Sequence, residues 1–253
     1  MGPLFRVNGA GRRDAFGLSF NGWGNKQIHS QDNYVARRVA SHVGVSVATA
    51  TVVGEGGGIE YDGDGTLMAT ESCWINSNRN PGKTKPQIEA ELLSRFGATS
   101  MIWLPGIKGQ DLTDNHVDST SRFVRPGVVM VQLPSPDRTD IWADNARRQH
   151  QILTRASDAK GRRLRVLTLE GPDHLPRWPR SRWHTFLDSY VNWVVTNSAV
   201  ITTQFGDTPK DAAARAAISA AFPDRKVVQL NLDQLHGEGG GGAHCVTMQE
   251  PRA

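Results

Sequence analysis

Residues 58–104 read GIEYDGDGTLMATESCWINSNRNPGKTKPQIEAELLSRFGATSMIWL, and the order of elements in this stretch decides the fold. Two short apolar runs, GIEYDG (58–63) and TLMATES (66–72), precede a helical stretch over 86–97, and the apolar run SMIWL (100–104) follows it. Short apolar runs bounded by Gly, Asp and Ser are typical of strands. The stretch therefore predicts a module in the order strand, strand, helix, strand.

The same order of elements recurs three more times along the chain. The predicted helices begin near residues 31, 86, 142 and 209, and this spacing indicates repeats that are too small to bury their own apolar faces. In the first module, Ser30 is expected to cap the helix and Gly44 to end it. We predict one α/β domain over 1–253, with ββαβ repeats at 3–54, 58–105, 121–170 and 184–235 and a closing repeat that begins at 243–250.

The loop after the last strand of each repeat holds the unusual residues of the chain. These loops are GEGGG (54–58), GIKGQDLTDNHVD (106–118), GPDH (171–174) and HGEGGGGAHC (236–245). Modules packed around an axis would place equivalent loops near the centre and their helices outside. We therefore expect the functional residues to lie in these loops.

The composition indicates a protein of the cytoplasm. With 38% hydrophobic and 21% charged residues, the chain of 253 residues can build one large or two small cores. No apolar run reaches the about 18 to 20 residues of a membrane span, and the N-terminus lacks the apolar stretch of a secretory signal. The only cysteines are Cys73 and Cys245, and so low a number favours free thiols in a reducing compartment.

The net charge of +4 raises the question of a nucleic-acid partner. Arginine-rich stretches occur at 146–148, 162–165 and 177–182, and basic patches with interleaved aromatic residues are typical of nucleic-acid binding. No helix-turn-helix, zinc-finger or RNA-binding signature accompanies them, so we expect neither a nucleic-acid nor a membrane partner. A homo-oligomer is left open by the sequence.

Cys245 is the candidate nucleophile. It follows His244 and a run of four glycines, and a glycine turn lets a ligand approach the backbone closely. A thiol there becomes reactive when its pKa falls or when a bound cation raises the thiolate fraction. The alternative is a structural cysteine behind a linker, followed by a short strand at 246–248. Cys73 is expected in the core, on an alternating strand.

His116 and Asp118 form a His-x-Asp pattern, and an extended segment would place both side chains on one face. An imidazole beside a carboxylate suits acid–base chemistry near neutral pH. Glu55 precedes three glycines and is suited to orient the histidine or to bind a cation. The alternatives are a structural histidine and a surface acid. A zinc site built from His116, Asp118, His244 and Cys245 is not expected, because the short paired spacings of zinc ligands are missing.

Several long motifs together resemble the agmatine deiminase and bacterial peptidylarginine deiminase family, guanidine-modifying enzymes of the pentein fold. The similarity runs along nearly the whole chain and follows the order of the family's motifs. The motifs that carry it are GPLFRVNG, FNGWGNK, GEGGGIEYDGDGTLMATESCWINSNRNPG, IWLPGIKGQDLTDNHVDSTSRFVRPG, SYVNWVVTNSAVITTQFGD, FPDRKV and GGGGAHCVTMQEP. The resemblance implies an α/β propeller of ββαβ repeats with pseudo-fivefold symmetry.

The resemblance also implies the reaction. Cys245 is expected to attack a guanidinium carbon, His116 to protonate the departing ammonia and then activate water, and Glu55 to orient His116. Asp118 is expected to accept two guanidinium N–H groups, and Gly242 to line the substrate site. A thiouronium intermediate would be hydrolysed without any metal or organic cofactor. Agmatine would yield N-carbamoylputrescine and ammonia, a step towards putrescine.

Two departures from the family pattern affect these expectations. Asn115 stands where relatives often have Gly, a mild change because Asn tolerates similar backbone angles. Relatives also have an Arg-Asp pair before Gly2, whose aspartate is a second substrate carboxylate, and here Met1 stands near that place. Since only four of five repeats are visible, the chain is expected to be truncated at its first repeat, through a late start codon or as a truly short protein.

The sequence leaves several activities open. A truly short chain is expected to have little activity, because it lacks one substrate carboxylate, and poor solubility, because an open ring exposes unpaired strand edges and apolar surface. The alternatives to agmatine deimination are citrullination of peptidyl-arginine, another reaction of the wider superfamily such as amidino transfer or dimethylarginine hydrolysis, and a non-catalytic remnant.

Overall fold

The computed structural model describes residues 1–251, and its described part contains four three-stranded sheets. In every sheet the first two strands are antiparallel and the third strand lies parallel to the second. A parallel pair needs a crossover connection, and a helix supplies it in each sheet. Each sheet therefore has the order strand, strand, helix, strand that the sequence predicted for a repeat.

The chain comprises two compact units, of which the first contains Met1–His116 and Thr247–Ala253. This unit contains two of the four sheets, and each sheet belongs to one module. The elements of this unit are β1 (Leu4–Val7), β2 (Arg13–Gly17), α1 (Gly22–Asn25), α2 (Val35–His42), β3 (Val47–Thr49), β4 (Ile59–Tyr61), β5 (Thr66–Thr70), α3 (Glu71–Trp74), α4 (Lys85–Phe96) and β6 (Ser100–Leu104), with 3-10 turns at Asp32–Tyr34 and Gly56–Gly58.

Helix α4 shows how the sequence sets the ends of an element. Thr84 and Gln87 form a capping box, in which the Thr84 N–H donates to the Gln87 side chain at 2.9 Å. Gly97 ends the helix in the left-handed conformation at φ 64°. Ile88 and Leu92 are fully buried and join the core of this unit.

The first module departs from the sequence prediction at the start of its helix. Helix α2 begins at Val35 and not after Ser30, because the 3-10 turn Asp32–Tyr34 comes first. The prediction that Ser30 caps this helix is therefore wrong. The backbone hydrogen bond from Tyr34 N to Gln31 O already starts the 3-10 turn that precedes it. The expected end holds, because Gly44 follows the helix at φ 68°.

Cys73 lies in the core as expected, but not on a strand. It belongs to the helical turn α3 and is buried beside Trp74. The strand β5 ends at Thr70, where the chain turns so that the Trp74 indole N–H can donate to the Gly58 carbonyl at 2.7 Å. Burial raises the pKa of the Cys73 thiol to about 12, so this thiol is unreactive at neutral pH.

The second unit contains Val117–Val246. It holds the other two modules and ends in a short helix before the glycine run. Its elements are β7 (Ser121–Arg125), β8 (Val128–Leu133), α5 (Ile141–Leu153), β9 (Arg165–Glu170), β10 (Val194–Val195), β11 (Ala199–Thr203), α6 (Thr208–Ala221), β12 (Lys226–Leu230) and α7 (Asp233–Glu238), with 3-10 turns at Val117–Ser119 and Arg180–Thr185.

The core of the second unit is aromatic, and the buried acid Asp211 lies against it. Tyr190, Trp193 and Phe205 are almost fully buried. The Tyr190 hydroxyl donates to Asp211 at 2.7 Å, and the other Asp211 oxygen accepts from the Gly206 N–H at 2.9 Å. These bonds satisfy the carboxylate, so a charged group can be buried in the first turn of helix α6.

The expected strand at 246–248 is not found. Residues 243–246 form a turn, and no strand is assigned over 243–250. A β-branched run becomes a strand only where another strand pairs with it, which the sequence pattern alone does not reveal. That this segment begins a closing repeat, and that the chain forms a single catalytic domain, stay predictions. Over residues 1–251, no helix combines the length and the apolar character that crossing a bilayer requires.

Candidate active site

Glu55 and His116 meet in the first unit. Glu55 Oε2 lies 3.0 Å from His116 Nε2, and both residues are buried. Burial by itself would raise the pKa of Glu55, but His116 and Arg79 outweigh it and hold this pKa below its usual range. An ionised carboxylate only accepts hydrogen bonds. The Nε2 atom of His116 therefore carries the proton in this pair.

Arg79 connects this pair to a second buried acid. Its Nε lies 3.0 Å from each oxygen of Glu55, and its Nη1 lies 2.6 Å from Asp114 Oδ2. The Arg79 side chain has no solvent exposure. Although burial opposes it, the hydrogen bonds from Arg79 and its neighbours lower the pKa of Asp114 to about 2. We refer to Glu55, Arg79, Asp114 and His116 as the His116 cluster.

The loop that carries His116 is held by its backbone. Asp114 and Asn115 both have positive φ angles, 61° and 65°, and the Asn115 carbonyl accepts from the Thr70 hydroxyl at 2.6 Å. Asn adopts this left-handed conformation more readily than most residues, which confirms the expectation for Asn115. The Ser72 hydroxyl bonds the Asp114 carbonyl in the same way, also at 2.6 Å.

The expected extended His-x-Asp segment is wrong. The chain leaves His116 and enters the 3-10 turn Val117–Ser119, so the alternation of a strand does not apply. His116 instead contacts Glu55, whereas Asp118 contacts His244 and Cys245. The positive φ angle at Asn115 ends the extended path before His116 is reached.

Asp118 and Cys245 meet in the second unit. One Asp118 oxygen lies 3.4 Å from the Cys245 sulfur and 2.8 Å from His244 Nδ1. Asn192 is buried beside them, and its amide nitrogen lies 3.2 Å from the same sulfur. We refer to Asp118, Asn192, Gly242, His244 and Cys245 as the Cys245 cluster.

The Cys245 thiol is held in its neutral form. The residue as a whole is exposed, but its sulfur faces Asn192 and Asp118. Desolvation of the sulfur raises the pKa of Cys245, and the negative charge of Asp118 raises it further. A cation bound to Asp118 would cancel its negative charge and so remove that contribution to the raised pKa of Cys245.

Gly242 is the residue that lets the glycine turn approach Asn192. A Cβ at position 242 would lie 2.4 Å from the Asn192 side-chain oxygen. That oxygen accepts from the His244 N–H at 3.0 Å, one residue before Cys245. The glycine at this position therefore permits the hydrogen bonds that fix His244 and Cys245.

The sequence prediction omitted Arg79 and Asn192. Asn192 had a visible signal, because a polar residue inside the apolar run SYVNWVV needs a partner when it is buried. Arg79 lies in the quoted motif NSNRNPG, but nothing in its spacing points to Glu55. His174 belongs to neither cluster, and its N–H donates to Asp207 at 3.1 Å. Among residues 1–251, no group of three or more acid, His or Cys side chains is arranged to hold a metal ion.

Comparison with known proteins places this chain among deiminases. Residues 1–251 match the model of the Porphyromonas-type peptidyl-arginine deiminase family. The chain is 36% identical to a putative agmatine deiminase of Streptomyces coelicolor over 264 residues, which covers 100% of this chain and 74% of that protein. It is 34% identical to the agmatine deiminase of Medicago truncatula over 256 residues, covering 92% of this chain and 67% of the relative.

A solved structure supports the same relationship. The agmatine deiminase of Enterococcus faecalis superposes with a TM-score of 0.90 at 30% identity, over 99% of this chain and 73% of that chain. This likeness confirms the pentein-type α/β fold that the sequence resemblance implied.

Proposed function

Because the chain belongs to the Porphyromonas-type peptidyl-arginine deiminase family, we propose that it hydrolyses the guanidinium group of agmatine to N-carbamoylputrescine and ammonia. The relatives of about 35% identity that are named agmatine deiminase support this substrate. The enzyme is a hydrolase that acts on a C–N bond.

The observation that carries the proposal is the carboxylate of Asp118 next to the sulfur of Cys245, at 3.4 Å. A guanidinium is a planar cation whose N–H groups pair with a carboxylate. Its electrophilic carbon lies one bond from those N–H groups. A guanidinium bound to Asp118 would therefore present its carbon to a nucleophile in the same place.

The bound cation also explains how a neutral thiol becomes reactive. The charge of Asp118 raises the pKa of Cys245 in the free enzyme. Pairing Asp118 with a guanidinium cancels that charge and places a positive charge near the sulfur. The thiolate is then favoured when substrate is present, and Asn192 can donate its amide N–H to it.

The reaction proceeds in two halves. The Cys245 thiol gives its proton to neutral His116 as its sulfur bonds to the guanidinium carbon, and the tetrahedral adduct takes that proton back from His116 when it expels a terminal nitrogen as ammonia. The product of this half is a thiouronium linked to Cys245. Water, deprotonated by His116, then attacks the same carbon and the C–S bond breaks. The carbon becomes the ureido group of N-carbamoylputrescine, the hydroxyl proton of the adduct passes to the departing Cys245 sulfur, and His116 releases its proton to solvent.

The Glu55–His116 pair supports the proton steps of this mechanism. Glu55 accepts the Nε2 proton of His116, so Nδ1 is the ring nitrogen that we assign to proton exchange with the substrate. A carboxylate behind the ring also favours the imidazolium that must protonate the leaving ammonia. We assign Glu55 an orienting role, Asp118 and Gly242 a substrate-binding role, and no role to a cofactor.

The test is a comparison of substrates on purified protein. We expect ammonia and N-carbamoylputrescine from agmatine, and much slower ammonia release from an arginine-containing peptide. Cys245→Ser should abolish turnover, and the wild-type enzyme should yield a covalent adduct detectable by mass spectrometry after acid quench. Faster turnover of the peptide would assign citrullination instead, and turnover by Cys245→Ser would exclude the covalent mechanism.

Two further assignments belong to this proposal. We place the enzyme in the cytoplasm, because its two cysteines are free thiols and its nucleophile needs a reducing environment. We leave a homo-oligomer as a prediction for light scattering, and we assign no nucleic-acid partner.

A further inference from the structure

We propose that Arg79 is a positioning residue that sets the protonation of the Glu55–His116 pair. This inference rests on the proposed function, in which His116 exchanges protons with the substrate. Arg79 would act by holding the Glu55 carboxylate in place and by keeping a positive charge behind it.

The geometry allows Arg79 to do both. Its Nε donates to Glu55 at 3.0 Å to either oxygen, while its Nη1 donates to Asp114 at 2.6 Å. Its Nη2 donates to the Thr113 carbonyl at 2.9 Å, in the loop that carries His116. The guanidinium thus fixes the acceptor of the His116 proton and the backbone three residues before that histidine.

The ion-pair partners within the His116 cluster and at Lys26 balance one another when His116 is neutral. Glu55 and Asp114 carry two negative charges, and Arg79 and Lys26 carry two positive ones, with Lys26 2.9 Å from Asp114. Glu55, Arg79 and Asp114 are buried, so an unbalanced charge among them is costly. Removal of the Arg79 charge would leave one negative charge in excess, and the pair would bind a proton at higher pH.

Two other titratable groups lie close to Glu55. The Met1 amino group interacts with Glu55, although its own burial is the larger influence on it. The Cys73 thiol lies near Glu55 and Arg79 but stays neutral. Neither group can replace Arg79, because neither appears among the hydrogen-bond partners of Glu55, which are Arg79 and His116 in the described chain.

The experiment is an NMR titration of His116 in the wild-type enzyme, in Arg79→Gln and in Arg79→Lys, with histidine labelled and the His116 signal assigned by His116→Gln. Arg79→Gln should raise the apparent pKa of the pair by about one unit or more, because an opposite charge within about 4–6 Å shifts a pKa by this amount. The acid limb of the kcat/KM profile should move to higher pH by the same shift.

Arg79→Lys separates charge from position. The lysine ammonium keeps the positive charge. It lacks the planar set of N–H groups with which the Arg79 guanidinium donates to Glu55, Asp114 and the Thr113 carbonyl at the same time. The apparent pKa should stay near the wild-type value while kcat/KM falls by about 100-fold, because a displaced catalytic group loses about that much. If Arg79→Gln does not fold, Lys26→Met offers a milder test, since it removes a partly exposed positive charge next to Asp114. It should move the pKa in the same direction by a smaller amount.

Arg6→Gln is the matched control, because Arg6 forms an Arg–carboxylate pair with Asp14 in the same unit at 2.6 Å and touches neither Glu55 nor His116. It should lower the melting temperature slightly and leave the His116 titration unchanged. If Arg79→Gln and Lys26→Met only lower the melting temperature and leave the titration and the acid limb in place, Arg79 is structural and the inference is overturned.

Failure of the proposed function gives a different pattern. Turnover retained by His116→Gln and Cys245→Ser would overturn the function, while the titration, which needs no turnover, would still decide the role of Arg79. Loss of turnover in those two variants with unchanged behaviour of all Arg79 variants would overturn the inference alone.

Discussion

One carboxylate oxygen of Asp118 lies 3.4 Å from the sulfur of Cys245. An anion at this distance opposes formation of a thiolate, so the Cys245 thiol stays protonated. In the proposed mechanism the same anion binds the cationic substrate. Asp118 should therefore lower the reactivity of the free thiol and, at the same time, promote turnover of the substrate.

Asp118→Asn should therefore speed alkylation of Cys245 and abolish turnover. The substitution removes the negative charge that raises the pKa of Cys245, while the burial that also raises it stays in place. Alkylation by iodoacetamide at pH 7 should become severalfold faster, less than the gain in thiolate because nucleophilicity falls with pKa. Turnover of agmatine should fall by at least about 1000-fold, because the guanidinium loses its carboxylate.

Asp137→Asn, an exposed surface change in the same unit, is the control and should alter neither rate. Slower alkylation of Asp118→Asn than of the wild type would contradict the electrostatic role of Asp118.

Asn192→Leu should shift the thiol in the opposite direction. The Asn192 amide N–H points at the sulfur from 3.2 Å and lowers the pKa of Cys245 against the larger effect of burial. Its loss should slow alkylation and reduce kcat by about 100-fold, the usual effect of removing one donor to developing negative charge. Both rates can be measured on one preparation, with the exposed Asn197→Leu as control. Unchanged alkylation would show that the amide does not act on the sulfur.

Gly242→Ala should disrupt the turn that holds Cys245. The added Cβ would lie 2.4 Å from the Asn192 oxygen, which is closer than real contacts allow, so one of the two segments must move. We expect kcat/KM to fall by about 100-fold, because small displacements of a nucleophile are costly, and the unfolding free energy to fall by about 1–3 kcal/mol. Gly9→Ala is the control, since a Cβ there meets nothing within 4 Å. A fully active Gly242→Ala variant would refute the close packing.

His236 should make stability depend on pH below about 6.5. Its Nδ1 donates to the Leu187 carbonyl at 2.5 Å, and its buried Nε2 has no hydrogen-bond partner among the described residues. Burial lowers the pKa of His236, although Asp233 and Asp188 oppose this. The unfolded chain therefore binds the proton first as the pH falls, and the folded state loses stability from about pH 6.5 down to the lowered pKa.

This loss should amount to at most about 1.4 kcal/mol for each pH unit. His236→Gln, which cannot titrate, should show a flatter melting temperature between pH 5 and 7 than the wild type, whatever its absolute stability. Equal slopes in the two proteins would mean that His236 does not control this dependence.

The sequence alone determined the modules. Runs of apolar residues and the caps of helices such as α4 act over a few neighbouring residues, so the order of strands and helix in the four modules could be predicted. The motifs also identified Glu55, His116, Asp118, Gly242 and Cys245 as residues of interest. These features are local, and local features are visible in a linear sequence.

Which side chains contact each other depends on the tertiary structure and could not be predicted from local patterns in the sequence. The pairing of Arg79 with Glu55 joins residues 24 positions apart, and Asn192 reaches Cys245 over 53 positions, distances in sequence that no local pattern encodes. His116 and Asp118 face different partners because two positive φ angles and a 3-10 turn replace the expected extended segment. The charge state of Cys245 likewise depends on which groups the folded chain brings to its sulfur, since a pKa responds to neighbours in space and to burial.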